Sequence, residues 1–422
     1  MKRRCAIGKR RVMQMKKRLL CFTMLLTVTI SAITFTNNVK AATKWNTSKS
    51  VTKEENGIKY SAYLTEDGKE SWIYQIKLSK KITKLTLPKE INQAKLTRVG
   101  FGKELYNKGE DAYQNLFGDT IEPWHNCYGD LSNDDKNKQT IKTVAIPGTV
   151  NQLEIATFSG MKKLKSVVIP EQTASVPAYT FAKCSALSKV TFSKNMNEID
   201  STAFVKSNQV KTFSCPKANK TFAVKKGMLT TRSGKTLVLV PNKMKKLTIP
   251  SSVKEIKANA LNGSQATSIV IPKSVKKIGA KALESKKITK VSLSSKNKTY
   301  KMANNCIYRK SNGTLTAVLV KTKKITIPSK VKVIDDTVSV MGKIGTKNQV
   351  HIPKSVKKVV EDWMFFGDSA TVYFHGTKPP VIVSKFKGNE FTALPIFNKV
   401  YVPKKAKKTY IKWAKDRDGL KW

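Results

Sequence analysis

Four segments of the sequence, repeated at a constant interval, decide the fold. The first is Val144-Ala145-Ile146-Pro147, and Val167-Val168-Ile169-Pro170 is the second. Val190-Thr191-Phe192-Ser193 and Phe213-Ser214-Cys215-Pro216 continue the same series. A fixed period of about 23 residues is typical of a solenoid of stacked coils, in which each coil folds only against its neighbours.

Each segment has the pattern of a short strand that stops abruptly. In Val144-Ala145-Ile146 the two outer side chains lie on one face, because side chains alternate along a strand. The proline that follows has no N–H to donate to the next coil. The strands are therefore expected to stack in register as a parallel sheet. The apolar residues between the segments keep the same spacing and form the predicted core: Val150, Leu153, Phe158, Met161, Leu164, Val176, Phe181, Cys184, Leu187, Met196, Ile199, Ala203, Phe204 and Val210.

The same pattern predicts twelve strands. The remaining eight end at Pro88, Pro250, Pro272, Ser294, Pro328, Pro353, His375 and Pro403. Two of the intervals, Pro216 to Pro250 and Ser294 to Pro328, are longer than one repeat and match each other without a gap. We interpret each as an ordinary coil with a β-hairpin insert, at about residues 217–243 and 297–322, with its turn at a Gly- or Asn-containing cluster.

These residues resemble the leucine-rich repeats of the BspA-like (Treponema pallidum-type) family of bacterial surface proteins. The resemblance rests on the pattern Val-x-Ile-Pro…Val-x-x-Ile…Ala-Phe-x-x-Cys and extends from about Leu85 to Pro403. It implies a leucine-rich-repeat solenoid of 22–23-residue coils over residues 81–403. It also implies, by analogy of fold, a role in adhesion to host matrix proteins or to other cells. The pattern specifies no ligand.

The first segment of the chain has the features of an export signal. Nine basic residues lie between Lys2 and Arg18, an apolar run follows from Leu19 to Phe35, and a small-residue cleavage site precedes Ala42. We therefore expect residues 1–41 to be a signal peptide, which starts at Met1 or at Met15. A retained membrane anchor is the alternative. The export signal predicts a secreted, extracellular protein. Because no Leu-Pro-x-Thr-Gly sorting motif occurs, any attachment to the cell wall is expected to be noncovalent.

Both ends of the solenoid are expected to carry caps. Residues 42–80 include a hairpin at 57–80, which we interpret as the N-terminal cap. In the tail, residues 404–422, Tyr410, Trp413 and Ala414 share one face of a predicted helix, which would form the C-terminal cap.

Residues 100–139 interrupt the period with an acidic insertion. Calcium binding by Asp130, Asp134 and Asp135 is conceivable, but their spacing fits no standard calcium loop, and a solvated insertion is favoured. His125 and Cys127 are a weak candidate for a catalytic pair, because no motif supplies a second histidine or a carboxylate. An extracellular enzyme, or an enzyme inhibitor, that uses this insertion is the alternative function.

The cysteines are predicted to be structural. Cys184, Cys215 and Cys306 occupy positions that are apolar in other coils, and only Cys127 has no equivalent. A free cysteine in such a position acts as a small apolar residue. Disulfides and metal binding are the alternatives.

Positive charge is concentrated in the repeats. Residues 42–135 carry 14 basic and 14 acidic side chains, whereas residues 136–422 carry 56 and 14. Lysines recur at equivalent positions in four coils: Lys254, Lys276, Lys332 and Lys357. Such a one-sided face favours an anionic neighbour, such as wall teichoic acid, an acidic glycan or an acidic host protein. A merely solubilising face is the alternative, and nucleic acid fits the charge but not the export signal.

The middle residue of each predicted strand faces solvent and forms a column along the sheet. This column is small or hydroxylated until its last members, which are His351, Tyr373 and Tyr401. Exposed aromatic residues often anchor a partner, and these three are candidate ligand-binding residues. Alternatively, they only cover the last coils. The sequence contains no phosphate loop, nucleophile elbow or His-x-x-x-His pair, so we predict a non-enzymatic binding protein without a metal or cofactor.

Overall fold

The computed structural model describes residues 43–101, 113–114, 120–121, 137–360, 370–383 and 399–415. The predicted signal peptide, most of the 100–139 insertion and residues 416–422 lie outside the described residues.

The chain is a parallel β-solenoid of about 12 coils of roughly 23 residues, with little helix, as the sequence predicts. All twelve predicted strands are present in the described residues, and we number coils 1 to 12 by them. They are Lys84–Thr86, Thr143–Ala145, Ser166–Val168, Lys189–Thr191, Thr212–Ser214, Lys246–Thr248, Ser268–Ile271, Lys290–Leu293, Lys324–Thr326, Gln349–Ile352, Thr371–Phe374 and Lys399–Tyr401. We call this set the first ladder.

The first ladder is divided into three sheets. Coils 1–5, coils 6–8 and coils 9–12 each form one parallel sheet. Within a sheet the repeat spacing sets the register, so that Val167 pairs with Val190 and Val190 with Phe213. The expected parallel sheet is therefore interrupted twice. Both interruptions follow the coils that carry extra strands, coils 5 and 8.

A second ladder, in which most strands are shorter, lies on the other side of nine of the twelve coils in the described residues. Its members in the described residues are Ala94–Val99, Gln152–Leu153, Ser175–Val176, Glu198–Ile199, Glu255–Ile256, Lys277–Ile278, Val333–Ile334, Lys358–Val360 and Val381–Val383. The apolar side chains predicted from the repeat spacing are all buried in the core. Among them, Phe158, Phe181 and Phe204 stack with centroid separations of 5.6 Å, and we call them the phenylalanine column.

The two long coils contain antiparallel strands in place of a second-ladder strand. In coil 5 these are Phe222–Lys225, Met228–Thr231 and Thr236–Leu239, and in coil 8 they are Tyr300–Ala303, Cys306–Arg309 and Leu315–Leu319. The last strand of the coil 5 set pairs in parallel with the second-ladder strand of coil 6. Each insert has two turns, and the first of them, at Lys226-Gly227 in coil 5, has positive φ at both residues. The sequence predicted only the second turn.

A buried asparagine begins each of these inserts. The side chain of Asn219 donates to the carbonyl oxygens of Ser193 and Met196 and accepts from the amides of Thr221 and Phe222. Asn297 makes the equivalent four hydrogen bonds in coil 8. Two donated and two accepted bonds occupy both ends of the amide, which fixes the path of the chain into the insert.

The N-terminal cap has three antiparallel strands: Trp45–Glu55, Ile58–Thr65 and Glu70–Leu78. The third pairs in parallel with Ala94–Val99, which continues the sheet into the second ladder of coils 1 and 2. Arg98 joins the cap to coil 2. Its guanidinium carbon lies 3.7 Å from the ring centroid of Trp72, and its Nε lies 2.7 Å from Oε1 of Glu154.

The C-terminal end of the core is closed by a 3₁₀ turn, Lys404–Ala406, and a helix, Lys407–Lys415. Tyr410 is buried against Phe374 with ring centroids 5.2 Å apart, and its hydroxyl donates to the carbonyl oxygen of Gly376. Trp413 contacts the same phenylalanine. The remaining short elements are Glu90–Ile91, Tyr113–Gln114, Thr120–Ile121, Ser339–Met341 and the 3₁₀ turn Lys138–Thr140.

Candidate ligand-binding surface

His351, Tyr373 and Tyr401 form a continuous stack on the outward side of coils 10 to 12, which we call the aromatic column. The strand register pairs His351 with Tyr373 and Tyr373 with Tyr401. The ring centroids of the first pair lie 4.5 Å apart with 2° between the planes, and those of the second lie 4.7 Å apart with 7°. These spacings match the distance between neighbouring strands, so the backbone ladder places the rings in contact.

The stacking limits which parts of the rings a ligand can contact. Neighbouring rings are already at stacking distance, so no third ring fits between them. His351 and Tyr373 are half-buried, whereas Tyr401 is 48% exposed. The strand of Tyr401 is the last of its sheet, and no other strand in the described residues pairs with its outer side. One face of the Tyr401 ring is therefore not stacked on another coil.

A second histidine lies beside the column. Nδ1 of His351 is 2.9 Å from Nε2 of His375, the residue that follows the strand of coil 11. The ring centroids are 5.2 Å apart and the planes differ by 14°, which is an edge-to-edge arrangement. One of the two facing nitrogens must donate a hydrogen bond, and the other must accept it. Burial lowers the pKa of His351, and the positive charges of Lys324 and His375 act in the same direction.

The sequence contains one signal for this contact. His375 stands where a proline or serine ends most other strands, and it follows His351 by about one repeat. The pattern placed both histidines near repeat strands. Only the register of coils 10 and 11 shows that their rings meet.

A second outward column runs next to the aromatic one. Register pairs Lys324 with Gln349, Gln349 with Thr371, and Thr371 with Lys399. Lys324 and Lys399 are exposed. The outward side of coils 9 to 12 is therefore lined by lysines, hydroxyls and aromatic rings.

The described segments of the last coils carry one sign of charge. Residues 337–360, 370–383 and 399–415 contain thirteen lysines and neither aspartate nor glutamate. The thirteen are Lys343, Lys347, Lys354, Lys357, Lys358, Lys378, Lys399, Lys404, Lys405, Lys407, Lys408, Lys412 and Lys415. Over all of residues 337–422, basic side chains still outnumber acidic ones by 17 to 6. This end of the chain is therefore strongly positive.

The four lysines predicted from the repeats are all exposed, but they do not form one column. The amide of Lys276 donates to the carbonyl oxygen of Lys254 at 2.7 Å, and the amide of Lys357 donates to that of Lys332 at 2.9 Å. Coil 8 and its insert separate the two pairs. All four precede strands of the second ladder, whereas the aromatic column lies on the first. The structure therefore places the two predicted sets on different parts of the coil.

The thiols are structural, with one correction. Cys184, Cys215 and Cys306 are all free. Cys184 and Cys306 are buried, and burial raises the pKa of each to about 12, which keeps them protonated. Cys215 was predicted to be a core residue but is only half-buried, because its strand leads directly into the insert, where its Sγ lies 3.4 Å from the carbonyl oxygen of Phe222.

The acidic insertion contains the residues considered for calcium binding and for catalysis. Asp130, Asp134, Asp135, His125 and Cys127 all lie outside the described residues. In the part of the chain that the structure describes, no group of three or more His, Cys, Asp or Glu residues could hold a metal ion. The same part contains no helix that is long and apolar enough to cross a membrane.

Six copies of a repeat described as "BspA type Leucine rich repeat region" match residues 136–226 and 241–371, more than half of the chain. The chain belongs to the BspA-type leucine-rich-repeat family. The resemblance inferred from the sequence is therefore confirmed, as is the leucine-rich-repeat solenoid. The BspA-type match ends within coil 11, so it includes His351 but not Tyr373 or Tyr401.

Three solved structures are similar to this BspA-type chain at low identity. A leucine-rich cell surface protein of Faecalibacterium prausnitzii is 14% identical, with 80% of this chain and 96% of that one covered and a TM-score of 0.35. The pneumococcal vaccine antigen PcpA is 14% identical, with 84% and 99% covered and a TM-score of 0.40. A leucine-rich-repeat protein of Eubacterium ventriosum is 15% identical, with 75% and 88% covered and a TM-score of 0.36. At these TM-scores the similarities carry no argument about function. No match was found among curated proteins.

Proposed function

We propose that this BspA-type protein is a secreted or surface-held, non-enzymatic binding protein that attaches to an anionic polymer through the outward sides of its coils. The observation that carries the proposal is the charge of the last coils. Thirteen lysines lie there on described segments that hold no carboxylate side chain. A polyanion that binds such a surface releases its counterions, which provides affinity without a preformed pocket.

The composition of the surface favours a polymer over a protein partner. The centres of protein interfaces are enriched in aromatic residues, Met and Arg, and depleted in Lys and Ser. The exposed large apolar side chains of the described residues are few, and only Val381 and Val383 share a strand: Val168, Val270, Val381, Val383 and Tyr401. An acidic host protein is the second candidate, and the aromatic column is the observation that favours it, since buried aromatic residues anchor many interfaces.

The lysine pairs support attachment more than they support the fold. Lys332 and Lys357 lie on adjacent coils, whose backbones are about 5 Å apart in the hydrogen-bonding direction between strands. Like charges at this distance repel each other by up to about 1 kcal/mol in water and by less in salt. A polyanion that passes over both ammonium groups would replace this repulsion with attraction. The Lys254 and Lys276 pair should attract a polyanion less strongly. Next to this pair, the carboxylate of Glu255 lies 2.8 Å from the ammonium group of Lys277.

Binding to an immobilised anionic polymer, such as teichoic acid, tests the proposal. The affinity should fall steeply as salt rises from about 50 to 500 mM, because counterion release weakens with salt. Changing Lys254, Lys276, Lys332 and Lys357 to Gln should reduce the affinity and flatten the salt dependence. The matched control changes four exposed lysines of the neutral N-terminal region, Lys49, Lys77, Lys80 and Lys81, to Gln, and should have little effect.

The control makes the outcome decisive, because each variant loses four positive charges and the two differ only in where those charges lie. Equal losses of affinity would show that only net charge matters. Binding that responds neither to salt nor to the four repeat lysines would show that the basic surface is merely solvated, and the proposal would be wrong.

A further inference from the structure

We infer that the polymer is an acidic glycan and that one of its sugar rings stacks on the outer face of Tyr401. This inference rests on the proposed function. It adds the chemical class of the ligand and the residue that distinguishes this class from other polyanions.

Tyr401 is the open end of the aromatic column. Tyr373 covers one face of its ring at a centroid distance of 4.7 Å. No further strand of the described residues continues the sheet beyond Lys399–Tyr401, and the side chain remains 48% exposed. Within the described residues, the ring thus has one face supported by Tyr373 and one face that no further strand covers, and such a ring is a platform for another flat group. Tyr373 offers only its edge, because the rings of His351 and Tyr401 cover its two faces. His351, at the other end of the column, is half-buried next to Thr326 and is less accessible than Tyr401.

The surroundings of this platform suit a sugar. The C–H groups of a pyranose ring carry a slight positive charge, and the face of an aromatic ring is negative, so the two surfaces attract. Sugar hydroxyls both donate and accept hydrogen bonds, as do the hydroxyls of Thr326, Thr371 and Tyr373 on the same outward side.

The charge next to Tyr401 indicates that the sugar is acidic. Lys399 lies two residues before Tyr401 on the same strand, so both side chains point outward on the same side of the sheet. Lys404 and Lys405 follow in the next turn and are exposed. A carboxylate or sulfate on a sugar stacked at Tyr401 would lie close to several ammonium groups.

Other polyanions fit the site at Tyr401 less well than an acidic glycan. Single-stranded nucleic acid binds by stacking successive bases on separate rings, but the rings of this column are 4.5 and 4.7 Å apart and admit no base between them. A polyol phosphate has no ring to place on Tyr401.

The test compares two polyanions that differ in whether they contain rings. The probes are a heparin oligosaccharide, which has sulfated sugar rings, and inorganic polyphosphate, which has none. Isothermal titration of the protein with each should show binding by both. Tyr401→Leu should weaken heparin binding about three- to tenfold, which is the scale of one ring contact, and change polyphosphate binding less than twofold. Lys399→Gln should weaken both probes by similar factors.

Two further variants control for structure. Tyr401→Phe keeps the ring without the hydroxyl and should retain heparin binding, which separates stacking from hydrogen bonding. Tyr74→Leu changes a half-buried tyrosine of the N-terminal cap and should affect neither probe. Thermal unfolding of each variant identifies any that fails to fold, and Tyr401→Phe then still tests whether the ring suffices.

The outcomes separate this inference from the proposed function. If the unmodified protein binds neither probe, the proposed function fails. If it binds both, and Tyr401→Leu weakens the binding of heparin and polyphosphate equally or weakens neither, the proposed function is retained and the glycan inference is overturned. If Tyr401→Leu reduces the affinity for an oligodeoxythymidylate more than the affinity for heparin, base stacking is identified instead, and the inference is also overturned.

Discussion

The solenoid contains two aromatic columns that follow the repeat period but differ in exposure. The phenylalanine column of coils 2 to 4 is buried, with ring centroids 5.6 Å apart. The aromatic column of coils 10 to 12 faces outward, with centroids 4.5 and 4.7 Å apart. Repetition places rings next to each other in both cases. Position within the coil decides whether the stack stabilises the core or presents a surface for recognition.

The two ends of the chain use positive charge in different ways. Near the N-terminus, Arg98 is buried and pairs with Glu154 while it lies on Trp72, so its charge is neutralised inside the structure. In coils 10 to 12, the lysines have no carboxylate in their own described segments. A charge that has a buried partner contributes to the fold, whereas charges of one sign on the surface favour binding.

The largest effect is expected from the inner column. Phe181→Ala removes the central ring between Phe158 and Phe204 and leaves a cavity in the core. The free energy of unfolding should fall by about 3–5 kcal/mol, measured by urea denaturation. Affinity for a heparin oligosaccharide, measured where the variant is still folded, should not change. A loss below about 1 kcal/mol would show that the inner stack is not a core element.

A smaller effect on stability is expected from the outer column. Tyr373→Ser removes two ring contacts on a half-buried residue, which should cost about 1–2 kcal/mol of unfolding free energy. Binding should be weakened more clearly than in the Phe181→Ala variant, because Tyr373 supports the ring of Tyr401. Thermal unfolding and titration of both variants under one set of conditions give the comparison. The contrast between the columns fails if Tyr373→Ser leaves affinity unchanged.

Acidification should destabilise the outer column by a modest amount. The pKa of His351 in the folded protein lies below its ordinary value near 6.5, so the unfolded chain takes up the proton first. This contribution to stability is fully present above about pH 6.5 and is lost as the pH falls through the folded pKa. The melting temperature should therefore drop between about pH 7 and pH 5, and the drop should be smaller in His351→Gln. An identical pH dependence in both proteins would exclude this histidine as the cause.

The smallest effect on stability is expected from the repeat lysines. Changing Lys254, Lys276, Lys332 and Lys357 to Gln removes repulsion between exposed charges and breaks no buried contact. The melting temperature should stay the same or rise slightly, because the free energy of unfolding should change by no more than about 0.5 kcal/mol. A clear destabilisation in differential scanning calorimetry would mean that these side chains hold the coils together, which the proposed role in attachment does not allow.

The sequence predicted those parts of the fold that repeat. The twelve strand positions and the buried residues of coils 2 to 5 follow from spacing alone, because each coil buries the same positions against the next. The strand Trp45–Glu55 was missed, because its side chains are mostly exposed and carry no apolar alternation. The first turn of the coil 5 insert was missed because Lys226 is an unusual residue for positive φ. The first turn of the coil 8 insert lies at Asn304 and Asn305, and asparagine favours positive φ, so the sequence did contain a signal for that turn.

The candidate site was predictable only in part. Spacing identified His351, Tyr373 and Tyr401 as neighbours, since one column of outward residues follows from the alternation of side chains. Spacing could not show that Tyr401 ends the sheet in the described residues, because this depends on where strands stop pairing. It also could not show that His351 and His375 make an edge-to-edge contact, because this depends on the register of coils 10 and 11. The lysines were placed at equivalent sites correctly, but coil 8 and its insert divide them into two pairs.

The most direct test is hydrogen exchange of the protein with and without a heparin oligosaccharide. Amides in a strand that contacts a ligand exchange more slowly when it is bound. The account predicts slower exchange in residues 349–352, 371–374 and 399–401, a smaller slowing beside the repeat lysines in residues 255–256, 277–278, 333–334 and 358–360, and no change around the phenylalanine column in residues 156–206. Slower exchange confined to residues 43–101, or spread evenly over all coils, would contradict the claim that the outward side of the last coils binds the polymer.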